Sequence, residues 1–196
     1  MKRERWNERY SQPGLLWSAR PNRILVAEVS DLEPGRALDL ACGEGQNAVW
    51  LAERGWKVVG VDFSDVAIAK GRERAERDDA EVELVVADLL DYEPEPDAFD
   101  LVLLLYFHLP PDELRGVLAG AATALAPGGT LLVIGHDRSN IEHGVGGPTD
   151  PEIQYTPDEI AAELPGLEIE KAERVYRDVA DADRPAIDAL VRMRRA

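Results

Sequence analysis

Arg36-Ala-Leu-Asp-Leu-Ala-Cys-Gly-Glu-Gly-Gln-Asn47 is the stretch that most narrows the folds open to this chain. Ala37, Leu38 and Leu40 form a short apolar run of the kind that fills a buried strand, and Asp39 stands at its end. Gly43 and Gly45 follow where the chain must turn sharply, and Asn47 to Ala52 reads as the start of a helix running on to Arg54 and stopped by Gly55. A strand, a glycine turn and a helix make a nucleotide cradle. Glycine lets the backbone approach a ligand closely, and the helix start offers unpaired N–H groups.

Two nucleotide-binding families share this device. Gly43-x-Gly45-x-x-Ala48 fits the dinucleotide pattern, with Asp62 at the next strand end as a ribose ligand, which would make the chain an NAD-binding oxidoreductase. Asp39, four residues before Gly43, discriminates. A carboxylate there repels a pyrophosphate but suits a ligand with an ammonium and no phosphate, such as S-adenosylmethionine (SAM). On these residues the chain resembles the class I SAM-dependent methyltransferases, whose first motif is an acidic residue, a small residue and spaced glycines. Ala41 stands where many members carry the first glycine, a mild departure.

The register continues downstream. Trp56 to Val61 reads as a second strand ending at Asp62, and Ser64 to Asp78 as a charged helix with Val66, Ala67 and Ala69 inward. Glu81 to Ala87 alternates as a third strand closed by Asp88 and Leu89. Asp39, Asp62 and Asp88 are thus three strand-end carboxylates separated by helix-length segments. The resemblance implies that Asp39, Gly43 and Gly45 hold the methionine end, with Ala41 and Asn47 in the same turn. It gives Asp62 the ribose hydroxyls, Phe63 the adenine face, Asp88 the adenine amino group and the Leu89 N–H a ring nitrogen.

Ala98 to Leu105 is nearly all apolar, as a central parallel strand requires. In the resembled family Leu105 and the Tyr106-Phe-His-Leu-Pro-Pro111 segment after it would lie beside the departing methyl group. The Asn/Asp-Pro-Pro-aromatic motif of the amino-group methyltransferases of DNA and protein is absent here. Charge points the same way: Lys+Arg 22 against Asp+Glu 38 gives −16, a field that repels nucleic acid and anionic lipid. No apolar run reaches the roughly 20 residues of a membrane span. The single cysteine, Cys42, rules out an internal disulfide, and no secretory signal is visible at the N-terminus, so a cytoplasmic enzyme is expected.

The flanks carry the remaining candidates. Residues 1–30 hold Trp6, Tyr10 and Trp17 and then a helix from Pro21 to Val29. Those rings either pack onto the body or form a lid that walls a substrate pocket. Asp112 to Ala126 reads as a helix ended by Pro127-Gly-Gly129, and Thr130 to Ile134 as a fifth strand. Residues 136–155 are polar and glycine-rich, a flexible substrate loop by composition. His108 and His136 fall just beyond strand ends, as candidate bases. Asp137 beside it would orient His136 as a base, and Arg138 in the same segment is a candidate substrate contact. Thr156-Pro-Asp-Glu159 is a capping box, and Leu167 to Arg177 and Pro185 to Arg194 read as a closing antiparallel strand pair.

Residues 36–135 carry the resemblance to the class. A looser similarity, in length, closing strands and aromatic N-terminus, is to the tellurite-resistance and thiopurine methyltransferase group. That group's His-Arg pair and later Arg align with Tyr176, Arg177 and Arg184, so the histidine is missing and tellurite is disfavoured; Arg177 stays a substrate candidate. The expectation is one α/β domain over 1–196, a Rossmann-like, mostly parallel seven-stranded sheet with an antiparallel C-terminal pair. It would move a methyl group from SAM to a small-molecule acceptor, releasing S-adenosylhomocysteine (SAH), as a monomer or homodimer. A non-catalytic SAM-binding protein is the other alternative.

Overall fold

The computed structural model describes residues 3–196, so Met1 and Lys2, the start of the expected 1–30 segment, lie outside the described residues. Seven strands, β1 (Arg36–Leu40), β2 (Lys57–Asp62), β3 (Val82–Val86), β4 (Phe99–Leu105), β5 (Leu125–His136), β6 (Glu168–Arg177) and β7 (Ala186–Arg194), form one sheet in the order β3-β2-β1-β4-β5-β7-β6. The fold is the expected Rossmann-like one, parallel among β1, β2 and β3 and antiparallel where β7 joins β5 and β6. The chain divides into two compact units, residues 1–93 with 98–103 and residues 94–97 with 104–196.

In the first unit, β1 is buried along four of its five residues and lies parallel to β2, with Asp39 opposite Gly60. Gly60 is required there, because a Cβ would sit 2.8 Å from a Leu84 methyl and 3.0 Å from the Cys42 sulfur. Cys42, Ile68 and Leu84 make a small apolar cluster, so the lone thiol is a core residue. Helix α3 (Gln46–Ala52) stops earlier than Arg54, and the chain turns through Gly55 at φ +88°. Helix α4 (Asp65–Arg77) is capped by Ser64 and buries Ala67, Ile68, Gly71, Arg74 and Ala75; Ala69, expected inward, is exposed. Helix α2 (Arg23–Val29) starts two residues after Pro21. Asn22 is its cap, accepting from the Ile24 and Leu25 N–H groups.

The polar N-terminus holds a helix the composition does not announce, α1 (Arg3–Tyr10). Its stability comes from tertiary anchors rather than an apolar stripe. Asn7 donates to Asp65 at 2.6 Å and accepts from the Ser64 hydroxyl at 2.6 Å, and Tyr10 is buried.

In the second unit, helix α5 (Pro111–Ala124) opens on Pro111 and buries Leu114, Val117, Leu118 and Ala121. Pro127-Gly-Gly129 does not merely end this helix; it lies inside β5, which begins at Leu125. The strand continues because Gly128 N–H donates to Arg195 C=O and Arg195 N–H returns to Gly129 C=O, both at 2.9 Å. Residues 136–155 include a short helix, α6 (Asn140–His143), and a bridge between Asp137 and Tyr155. Buried Asn140 ties that segment inward, donating to Gly146 C=O at 2.8 Å and accepting from Ile187 N–H at 2.7 Å. Helix α7 (Pro157–Ala162) begins with the expected capping box of Thr156 and Glu159. β7 is buried from Ala186 to Val191, whereas β6 is largely exposed.

Candidate functional site

The first unit builds a carboxylate-lined turn. Ala41, Gly43 and Gly45 have φ of 59°, 56° and 72°, all in the left-handed region. Two glycines adopt it freely, whereas Ala41 adopts it at a cost of about 1–2 kcal/mol. The alanine is therefore a strained substitution and not a mild one. The tight turn brings Gly43 N–H to Asp62 Oδ2 at 2.9 Å, while Ser64 N–H reaches Oδ1 at 2.9 Å. Each Asp62 oxygen keeps a further lone pair. Burial raises the Asp62 carboxyl above the usual range, against the pull of those two N–H groups.

Asp39 is the more telling group. It is buried, and among the described residues its Oδ2 has no hydrogen-bond partner. Burial first, and then the neighbouring Asp62 charge, push its carboxyl up to about 7. An orphaned buried carboxylate is costly, and such a group marks a place where a cation completes the site. A ligand ammonium supplies what Asp39 lacks, so the residues present fit the methionine end of SAM. The same carboxylates, joined by buried Glu44, oppose the pyrophosphate of a dinucleotide.

Glu44, read in the sequence only as the spacer between two glycines, is a structural latch. It accepts from Leu16 N–H at 2.9 Å and Trp17 N–H at 3.4 Å, and Lys70 Nζ stands 3.4 Å away. Lys70 also donates to the Gln12 and Gly14 carbonyls, at 2.9 and 2.6 Å. These bonds strap residues 12–17 beside the turn. Tyr10 closes the same flank, with its hydroxyl 3.0 Å from where a Gly43 Cβ would stand; burial, then Asp62, raise its pKa. Trp6 lies 5.7 Å from Tyr10 and 6.4 Å from Trp17 between ring centroids, with Arg9 over both tryptophans. The three aromatic residues thus come together.

The other cofactor candidates divide. Asn47 spends its amide oxygen on Asn22 N–H at 2.9 Å, holding the start of α2. Asp88 is half-buried and accepts from Leu90 N–H at 3.1 Å, which bends the chain after β3; Phe63 is half-buried and Leu89 buried. Leu105 ends β4 in the second unit, buried.

The second unit gathers Tyr106, His108, His136, Arg177 and a residue the sequence reading passed over, Asp188. Antiparallel register sets His136 directly opposite Asp188. Asp188 is fully buried; its Oδ2 accepts from Tyr106 Oη at 2.8 Å and from Arg177 Nε at 2.9 Å, and its Oδ1 lies 3.2 Å from His136 Nδ1. Burial raises its carboxyl, but His136, Arg177 and Tyr106 more than offset that, so it sits below the usual range. Tyr106 itself is held at φ 52°, the kind of backbone strain that clusters at functional sites.

Two expectations are corrected here. His108 is not placed to take a proton: Nδ1 is 3.2 Å from the Ile153 carbonyl, and Nε2 accepts His136 N–H at 3.3 Å. Burial, followed by His136, lowers its pKa to about 4. Nor does Asp137 orient His136. Its Oδ1 is taken by Ser139 N–H at 2.8 Å and by Arg174 at 2.9 Å. Arg138 is committed to Glu159 at 2.7 Å and to the Gln154 carbonyl at 2.8 Å, and Arg184 to the Glu142 carbonyl, so these cations brace the 136–155 segment. The available signal for Asp188 was a lone carboxylate inside the apolar run Ala186-Ile-Asp-Ala-Leu-Val191.

Residues 37–129 match the model of a family described as a methyltransferase domain. Among characterised relatives, the 2-heptyl-1-hydroxyquinolin-4(1H)-one methyltransferase of Mycobacteroides abscessus is 35% identical over 127 residues, covering 61% of this chain and 56% of its own length. The ribosomal RNA small subunit methyltransferase C of Alcanivorax borkumensis is 35% identical over 107 residues, covering 52% of this chain and 32% of its own. The chain thus spans about a third to a half of these relatives. The crystal structure of TehB from Haemophilus influenzae superposes with a TM-score of 0.75 at 15% identity, over 99% of this chain and 67% of that one, a likeness of fold.

Proposed function

We propose that the chain, whose residues 37–129 match a methyltransferase domain, is a class I SAM-dependent methyltransferase that transfers the methyl group of SAM to a small molecule in the cytoplasm. One observation carries the reading: buried Asp39, with no partner at Oδ2 among the described residues, beside Asp62 on a left-handed glycine turn. When bound, SAM supplies a methyl carbon on a sulfonium, open to in-line attack by a nucleophile held about 3–3.5 Å away. The chain's task is therefore to bind and orient. Asp39 takes the ammonium, Asp62 the ribose hydroxyls on its remaining lone pairs, Asp88 the adenine amino group, the Leu89 N–H a ring nitrogen and Phe63 the adenine face. Trp6, Tyr10 and Trp17 wall the first unit's turn. Leu105, Tyr106, His136 and Arg177 carry the acceptor side in the second unit.

The net charge of −16 opposes an RNA substrate and favours the chemistry of the quinolone-acting relative over that of the ribosomal one. An SAH-release assay tests this. Full-length protein and SAM are offered phenols, N-hydroxy heteroaromatics, carboxylic acids and small-subunit ribosomal RNA in parallel. SAH formation with a small molecule and none with RNA is expected. Turnover on RNA alone, or none on any acceptor, would overturn the reading.

A further inference from the structure

We propose that Asp188 is a positioning residue that holds His136 as the general base of the acceptor site, so that the acceptor is a neutral molecule bearing an ionisable O–H or N–H and not a preformed carboxylate. The inference rests on the methyltransferase reading above and adds the acceptor's chemical class to it.

A fully buried aspartate in an apolar strand needs partners, and Arg177 with Tyr106 already satisfies Oδ2. Oδ1 has His136 Nδ1 as its near neighbour at 3.2 Å, and among the described residues neither atom has a hydrogen-bond partner, so the two face each other as a charge contact. A carboxylate facing Nδ1 keeps the ring proton there and leaves the lone pair on Nε2. Both faces of the ring are held. Tyr106 lies 5.1 Å away at 59° and His108 stacks at 5.6 Å and 14°. The His136 backbone is fixed as well, through its N–H to His108 Nε2 at 3.3 Å. Gly147 packs against the imidazole as well: a Cβ there would stand 2.6 Å from Cδ2, 2.7 Å from Cγ and 2.8 Å from Nε2, so only glycine leaves the ring its place. The side chain is 12% accessible, and no protein hydrogen bond reaches Nε2 among the described residues.

A phenolate or carboxylate already ionised needs no such device, whereas a neutral hydroxyl or N–H nucleophile does. In the step, the acceptor's proton moves to Nε2 and its electron pair stays on the acceptor atom to form the bond to the methyl carbon. The C–S pair leaves with sulfur, and the imidazolium, steadied by Asp188, later returns its proton to water. The groups facing His136 are Asp188, Tyr106 and His108, with Arg177 acting through Asp188 and Tyr155 stacked beyond His108 at 5.2 Å.

SAM binding is measured first by calorimetry on the full chain; no binding by the wild type would sink the methyltransferase reading and this inference with it. Heteronuclear NMR of labelled imidazoles then follows His136 without any ligand, in wild type and Asp188→Asn. The wild type should show the Nδ1–H tautomer, and the variant a lost preference for it, since the carboxylate that faces Nδ1 is gone. Against phenol and N-hydroxy acceptors, His136→Gln should lose about 100-fold or more in kcat at unchanged SAM affinity. Asp188→Asn should lose about tenfold in kcat at unchanged SAM affinity. His136→Gln leaves Asp188 with Arg177 and Tyr106, so it carries the test alone should Asp188→Asn fail to fold. An unchanged His136 tautomer in Asp188→Asn, full hydroxyl-directed activity in His136→Gln, or turnover of carboxylates only by SAM-binding protein would each overturn the proposal.

Discussion

Replacing Asp39 by Asn should stabilise the ligand-free protein at alkaline pH while weakening SAM. In the folded chain the Asp39 carboxyl is raised from 3.8 to about 7 by burial and by Asp62. A raised carboxyl pKa means that the folded state binds a proton the unfolded state has released. Stability from this group is therefore full below about pH 4 and is lost progressively as pH rises towards 7, the reverse of a salt-bridged aspartate. Between about pH 5 and pH 7 the unfolded side chain is ionised and the folded one still protonated. Two pH units at about 1.4 kcal/mol each make about 3 kcal/mol of lost stability. Asn has no charge to desolvate, so the advantage of Asp39→Asn over wild type should grow by roughly that amount across the window. Urea unfolding of both proteins at about pH 5 and pH 8 reads it directly as a change in midpoint. SAM should bind the variant at least about tenfold more weakly, for want of a counter-charge to its ammonium. A stability difference that does not change with pH would refute the claim that Asp39 is a buried, uncompensated carboxylate.

Three further outcomes follow from the same structure. Glu44→Gln removes the charge that holds the Leu16 and Trp17 N–H groups and Lys70. Residues 11–20 should then be cleaved faster by protease and tryptophan emission should shift to the red, whereas unchanged cleavage would deny the latch. Gly135→Ala places a Cβ against Tyr155 Oη and should cost about 1–3 kcal/mol in chemical unfolding. Because that hydroxyl has no hydrogen-bond partner among the described residues, Tyr155→Phe should recover part of the loss, its ring carbon still standing 2.7 Å from the added Cβ; additive effects in the double variant would contradict the packing argument. Ala41→Gly relieves about 1–2 kcal/mol of left-handed strain and gives back about 0.4–1 kcal/mol in unfolded-state entropy, so unfolding should show a gain of up to about 1 kcal/mol, where a clear loss would contradict it.

How much of this was legible in the sequence depends on the range of the interactions involved. β1 and β2 are apolar runs closed by Asp39 and Asp62, with glycines or a capping serine next to them, so local pattern and local geometry agree. Propensity makes Pro127-Gly-Gly129 a breaker, so the sequence starts the fifth strand only at Thr130. Its pairing with Arg195, far along the chain, overrides that. The N-terminal helix was invisible for a similar reason, being fastened through Asn7 to Ser64 and Asp65 and not through an apolar face. His136 stands out in the sequence by its place after a strand, and the carboxylate next to it there is Asp137. The register of β5 on β7 brings Asp188 there instead, and nothing in either strand alone specifies that register.

The measurement that bears most directly on the central claim is calorimetric titration of the purified full chain with SAM, SAH and NAD, in wild type and Asp62→Ala. Micromolar binding of SAM and SAH, weakened by the substitution, with no response to NAD, is the predicted result. Silence towards SAM and SAH, or a clear heat of binding for NAD, would contradict the account and return the Gly43 to Ala48 turn to the dinucleotide-binding class.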